Sequence, residues 1–99
     1  MKFIYVVKES VTMLEPGKPA EEILDSVGIA CATEELAKHE IEKVANHLID
    51  VRDDFFGKCV DSSELYCDHD GVWNLRFTYE CGTTFKYEWK IVGTDLIES

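Results

Sequence analysis

The chain has 99 residues, of which 45% are hydrophobic and 11% aromatic, and its 20 acidic and 10 basic residues give a formal net charge of -10. This length allows one domain, residues 1–99, and the apolar fraction excludes wholesale disorder. No apolar run reaches the roughly 18 residues of a membrane-spanning helix. Because a twofold excess of acid repels phosphate backbones and anionic lipids, the charge argues against direct binding of nucleic acid or membrane and favours a protein partner with a basic surface.

The first third of the chain predicts a strand, a loop and a short helix. Residues 3–7 are β-branched and aromatic, as in a central strand with two apolar faces. A loop follows over residues 15–19. Pro19 suits the first turn of a helix and Gly28 suits its end, so we expect a short helix over residues 19–27.

The clearest predicted element is a long helix over residues 33–54. Thr33 can cap its start, with Glu34 and Glu35 in the first turn. Apolar residues then recur at steps of four and three, as on one helical face. These residues are Ala37, Ile41, Val44, Leu48, Val51 and Phe55.

Three acidic residues lie where this helix is expected to end. In a helix that reaches residue 54, Asp50, Asp53 and Asp54 oppose the negative end of the helix dipole, which suggests a use for their charge. The alternative is that the helix ends earlier and that these residues lie in a solvated turn.

Residues 59–92 alternate between apolar and polar with a period of two, which predicts half-buried strands in a meander. Apolar faces coincide across both turns only when the loops are residues 69–71 and 80–82, each ending in a left-handed glycine. The resulting pairs are Phe77 with Phe85, Leu75 with Tyr87, Trp73 with Trp89, Cys67 with Trp73, Leu65 with Leu75, and Glu64 with Arg76.

Together these elements predict an α+β domain in the order β-α-α-β-β-β. A four-stranded, mostly antiparallel sheet carries the long helix on its aromatic face. We expect residues 93–99 to fray.

The cysteines and histidines form no recognisable catalytic or metal-binding motif. No CxxC pair occurs, and we expect a bacterial cytoplasmic location with reduced thiols, because the apolar start is too short for a signal peptide. The register places Cys59 near Cys81, a pair that could form a disulfide under oxidising conditions. Cys67 is expected to point into the core, away from His69 in the turn. We therefore predict no catalytic residue, no cofactor and no metal site.

The acidic excess is unevenly distributed along the chain. Residues 9–35 carry a net charge of -6 and residues 50–70 a net charge of -5, whereas residues 72–92 carry +1. This clustering selects candidate partner-binding residues, which are Glu34, Glu35, Asp50, Asp53, Asp54, Asp61, Asp68 and Asp70.

The opening MKFIYVVKE, the strand–helix–meander layout and the acid surplus together resemble small phage-encoded anti-CRISPR proteins. Immunity proteins and barstar-like nuclease inhibitors are similar on the same grounds. The resemblance covers the whole chain in size, layout and charge, without a shared motif. It implies a stoichiometric binder that covers a basic nucleic-acid-binding site on its target.

We therefore expect a non-enzymatic acidic inhibitor of a nuclease or CRISPR-type complex, whose carboxylates stand in for phosphates. One alternative is an immunity or antitoxin protein that neutralises a cognate toxin. Another is a housekeeping or assembly domain, monomeric or dimerised through the edge of the last strand, with Lys86 and Lys90 guarding that edge. A fourth is an enzyme built on Cys67 and His69.

Overall fold

The computed structural model describes residues 2–54 and 57–96, which form an α+β fold. Six strands make one antiparallel sheet in the order β2-β1-β6-β5-β3, with β4 beside β5. The elements are β1 (Lys2–Leu14), β2 (Glu21–Cys31), α1 (Glu34–Asp50), a 3₁₀ turn (Arg52–Asp54), β3 (Cys59–Ser62), β4 (Tyr66–Cys67), β5 (Val72–Tyr79) and β6 (Thr84–Leu96). The α+β class is as predicted, whereas the four-stranded sheet and the element order are not.

The largest difference is that the predicted short helix over residues 19–27 is wrong. Residues 21–31 form β2, which pairs with β1 from Tyr5 opposite Cys31 to Met13 opposite Glu21. A short isolated helix has little stability of its own. A long strand instead satisfies the backbone groups along one side of β1, which is itself 13 residues long.

The long helix begins as predicted and ends four residues early. The Thr33 hydroxyl accepts a hydrogen bond from the backbone N–H of Leu36 at 3.1 Å. At the other end, the Val51 N–H donates to the carbonyl of His47 at 3.1 Å, which closes the helix after Asp50. The 3₁₀ turn then carries Asp53 and Asp54, so the alternative of an earlier helix end is the one observed.

The face that α1 buries differs slightly from the predicted stripe. Ala37, Ile41 and Ala45 are fully buried, whereas Val44 lies at the exposed margin of the contact. Phe55 lies outside the described residues. The helix therefore turns Ala45, rather than Val44, towards the sheet.

The aromatic face of β5 and β6 forms the core, as predicted. Leu75, Phe77, Tyr79 and Trp89 are each at most 1% exposed. The predicted pairs Trp73–Trp89, Leu75–Tyr87 and Phe77–Phe85 are confirmed. The three-residue turn over residues 80–82 is confirmed by the Tyr79 N–H, which donates to the carbonyl of Thr83 at 2.8 Å.

The strands before β5 leave the predicted register after one confirmed pair. Cys67 lies opposite Trp73 as expected, but Ser62 lies opposite Phe77, one residue out of step. Residues 63–65 interrupt the ladder. Ser63, instead of Glu64, faces Arg76 and exchanges backbone and hydroxyl hydrogen bonds with it at 2.9 and 2.8 Å. The expected pairs Glu64–Arg76 and Leu65–Leu75 are not among the strand pairs of the described chain.

The last strand is central, which corrects two expectations. β6 continues through Leu96 along the full length of β1, so residues 93–96 do not fray, and residues 97–99 lie outside the described residues. Because β6 lies between β1 and β5, Lys86 and Lys90 cannot guard an edge. The predicted dimer through that edge is therefore wrong. Among the described helices, none has the length and apolarity to cross a membrane.

Candidate functional site

Glu34 and Glu35 lie exposed in the first turn of α1, where the structure places them as the sequence predicted. Carboxylates there face the unpaired N–H groups of the helix start and the positive end of its dipole, an arrangement worth about 0.3–1 kcal/mol each. Their position is thus favourable for folding as well as open to solvent. Neither carboxylate forms an ion pair or hydrogen bond within the described residues.

The acidic residues after α1 have unequal roles. The Asp53 carboxylate accepts a hydrogen bond from the backbone N–H of Cys59 at 2.9 Å, which fixes the start of β3 against the 3₁₀ turn. Asp50 and Asp54 are exposed. Since the helix ends at Asp50, only that residue opposes the dipole within the helix, and Asp53 has a structural use.

Asp61 and Asp68 are also engaged by their own chain. Asp61 on β3 lies 3.7 Å from the guanidinium of Arg76. Asp68 organises the turn before β5, where its carboxylate accepts backbone N–H bonds from Asp70 and Val72 at 2.9 and 3.0 Å and an amide bond from Asn74 at 3.3 Å. The Val72 bond is the main cause that lowers the pKa of Asp68. Asp70 is exposed at the tip of the same turn.

The eight predicted residues therefore do not converge on one patch. Glu34 and Glu35 lie at the start of α1 and Asp50 at its end, about 22–24 Å apart at 1.5 Å per residue. Asp53 is linked to β3 through the Cys59 N–H. Asp68 and Asp70 lie at the opposite end of β5 from Tyr79, which pairs with Cys59.

A different acidic set shares one side of the molecule, and Glu42 is the member that the sequence reasoning missed. Steps of seven and eight residues separate Glu35, Glu42 and Asp50, which places them on the same face of α1. All three are exposed, and none of them forms an ion pair within the described part of the chain. We call these three residues the α1 acidic face. Helical periodicity applied to the charged residues, as well as to the apolar ones, could have found it.

The acidic residues of β2 were also missed, because residues 19–27 were interpreted as a helix. Glu21, Glu22 and Asp25 lie exposed on this strand. The Ser10 hydroxyl donates to the Glu22 carboxylate at 3.2 Å. No lysine or arginine occurs between Lys18 and Lys38 in the sequence.

The open face of the sheet, which lies away from α1, gathers cations instead. Lys8 lies opposite Lys90, and Arg76 lies opposite Lys86. Directly opposed like charges are unfavourable, and the sheet offsets this in part with the Lys86–Glu88 ion pair at 3.7 Å and with the Asp61–Arg76 pair. The separation of charge is partial, since Asp25 and Glu88 also lie on the open face and α1 carries Lys38 and Lys43.

A small cavity lies between α1 and the sheet. Its volume is about 100 Å³, and its walls include Val7, Gly28 and Ile41, with Glu9 and Trp89 at one side. The Trp89 indole N–H donates to the Glu9 carboxylate at 2.7 Å. Glu9 therefore satisfies the buried indole, and its charge is committed within the chain.

The four thiols form no disulfide with one another. All four cysteines are free. The Cys59 thiol donates to the carbonyl of Asp61 at 3.2 Å, and the Cys81 thiol contacts the Thr83 hydroxyl at 3.4 Å, a contact that lowers the pKa of Cys81. Within residues 2–54 and 57–96, no three His, Cys, Asp or Glu side chains are arranged to hold a metal ion.

Cys67 is exposed, and the expectation that it points into the core is wrong. The strand that carries it, β4, is only two residues long. Its thiol contacts the carbonyl of Asp68 at 3.7 Å. Because β4 is so short, the Cys67 side chain is left exposed to solvent.

Comparisons with protein-family models, curated proteins and solved structures find no match for this chain.

Proposed function

We propose that this chain is a non-enzymatic inhibitor that binds a basic nucleic-acid-binding site of a nuclease or CRISPR-type defence complex in the bacterial cytoplasm. The observation that supports the proposal is the α1 acidic face, whose three carboxylates are exposed and make no ion pair within the described chain. Carboxylates held in this way keep their charge available for the lysines and arginines of a partner. Glu34, at the start of the same helix, adds to this charge.

The spacing of these carboxylates bears on how such binding works. The α1 acidic face extends over about 22 Å, a length along which one strand of duplex DNA carries about six or seven phosphates. Three carboxylates do not reproduce that charge density. The proposal therefore rests on electrostatic complementarity at a few contacts, and it does not require the chain to copy the shape of DNA.

The experiment compares two double variants with equal changes in charge. Glu35→Lys with Asp50→Lys reverses two members of the α1 acidic face, whereas Glu64→Lys with Glu80→Lys reverses two exposed acids elsewhere. Each pair moves the formal charge from -10 to -6. The tagged proteins are incubated with host lysate at low and high salt, and the retained proteins are then challenged with duplex DNA.

The proposal predicts a nucleic-acid-binding protein that is retained at low salt, released at high salt and displaced by duplex DNA. The α1 variant should lose this protein and the control variant should keep it. Equal losses in both variants would mean that only net charge matters. Retention that duplex DNA does not disturb would contradict the proposed occupation of a nucleic-acid site.

A further inference from the structure

The outer side of β2 is the long open edge of the sheet. β2 pairs with β1 on one side, and its other side faces no strand in the described part of the chain. It has 11 residues, whereas β3 at the opposite edge has four. Exposed edges are usually protected by short length, lysine or proline. Residues 21–31 contain no lysine, arginine or proline, so the protection of this edge consists of its two register irregularities and the negative charge of Glu21, Glu22 and Asp25.

The side chains along this edge are unusually apolar for an exposed strand. Ile23, Leu24 and Val27 are 47%, 41% and 66% exposed. Leu24 lies opposite Val11 on the side of the sheet that faces α1, whereas Val27 lies opposite Lys8 on the open face. An added strand would therefore meet an apolar contact on each face.

The charge of the edge selects the kind of strand that it can accept. Residues 19–37 contain five acids and no lysine or arginine, and they run from β2 into the first turn of α1. Asp25 is exposed on the open face of the sheet, opposite Ser10. The nearest cation on the neighbouring strand is Lys8, which lies on the inner side of β2, away from the free edge.

We propose that β2 accepts an extended, lysine- or arginine-rich segment of a protein partner as an additional strand. Main-chain hydrogen bonds to the free edge supply affinity. Side chains of the segment on the open face pair with Asp25 and contact Val27, and the alternate side chains on the other face contact Leu24. The inference rests on the proposed function, because it names the segment of the basic target that binds to this edge. A second copy of this chain is a poorer occupant, since two molecules of charge -10 repel each other.

The test uses a capped peptide of alternating lysine and valine, titrated into the ¹⁵N-labelled chain and followed by NMR. A peptide of alternating glutamate and valine is the charge control. The double variant Leu24→Lys with Val27→Lys places gatekeeper charges on β2, and Val60→Lys does the same on β3, where Val60 is 56% exposed. Circular dichroism checks that each variant folds.

The inference predicts saturable shifts in the β2 amides with the basic peptide, together with slowed hydrogen exchange along the free edge. The Kd for the basic peptide should rise about tenfold or more in the β2 variant and should stay unchanged in the β3 variant. Equal binding of the acidic peptide, or unchanged binding by the β2 variant, would overturn the inference. So would a concentration-dependent dimer in sedimentation equilibrium that the β2 variant abolishes.

The two proposals can fail separately. If the α1 variant loses the lysate target while the peptide leaves β2 unperturbed, only the assignment of the edge is wrong. If the peptide binds β2 but duplex DNA displaces no target, the edge binds basic segments and the inhibitor proposal is wrong.

Discussion

The hydrogen bond between Trp89 and Glu9 joins the two longest strands in the middle of the core face. Trp89 is 1% exposed, and its indole N–H donates to the Glu9 carboxylate at 2.7 Å. Changing Glu9 to alanine leaves that buried donor without its acceptor, a loss of about 1–3 kcal/mol. Because a cavity of about 100 Å³ adjoins the pair, water can reach the indole in the variant. We therefore expect the middle of the range, ~2 kcal/mol.

For a domain of this size, ~2 kcal/mol corresponds to a fall in Tm of about 10 °C. Thermal and urea unfolding, followed by circular dichroism, measure the effect. Glu88→Ala is the matched control, since that residue forms only a partly exposed ion pair with Lys86 and should cost less than about 1 kcal/mol. A double-mutant cycle with Trp89→Phe isolates the pair, and a coupling energy indistinguishable from zero would refute the assigned role of Glu9.

Three further outcomes follow from single residues. Burial raises the pKa of Tyr79 to about 12. The stability that this residue contributes should therefore be fully present below pH ~10 and be lost as the pH rises through about 12, as measured by urea unfolding. The Tyr79→Phe variant should show a smaller loss of stability over this pH range. The lowered pKa of Asp68, caused mainly by the Val72 N–H, contributes stability that is lost as pH falls below about 4, and Asp68→Asn should reduce the difference in Tm between pH 7 and pH 3. Both Gly17 and Gly82 have positive φ, so an alanine at either position is strained. Gly82→Ala should lower Tm more than Gly17→Ala, because a Cβ on residue 82 would also lie 2.9 Å from a ring carbon of Pro16.

The meander from β5 to β6 could be predicted because its information is local. Alternating side chains fix which face is buried, and a glycine at the third loop position fixes the register. Gly71 and Gly82 do have positive φ values of 79° and 91°. The capping role of the Thr33 hydroxyl could be predicted for the same reason, since the Leu36 N–H that it accepts a hydrogen bond from lies only three residues away.

The β1–β2 hairpin could not be predicted from residues 19–31 alone. The spacing of Ile23, Leu24 and Val27 fits one face of a helix, whereas on β2 Leu24 and Val27 lie on opposite faces of the sheet. The strand conformation is favoured by β1, because β2 pairs with the β1 backbone along most of its length. Likewise, the central place of β6 depends on the pairing of Lys2 with Leu96, near the two ends of the chain, which no local pattern contains.

Composition predicted an acidic surface, but it could not show which acids are already engaged. Asp53, Asp61 and Asp68 look like any other acids in the sequence. In the structure each has a partner in its own chain, namely the Cys59 N–H, Arg76 and the turn before β5. Such roles depend on contacts between separate elements, so they follow from the fold and not from charge counts.

The separation of charge decides from which side a basic partner can approach. Lys8, Lys86 and Lys90 lie on the open face of the sheet, and α1 lies on the other face. A helix is on the order of 10 Å thick, and the Debye length at physiological salt is about 8 Å, so salt screens most of the attraction between the two sides. A partner at the open face meets these cations, whereas a partner at the α1 acidic face meets carboxylates that are offset mainly by Lys38 and Lys43 of the same helix. At the β2 edge the carboxylates have Lys8, opposite Val27, as the nearest cation on the neighbouring strand. Under the proposed function, the local arrangement of charge, more than the net value of -10, therefore governs binding.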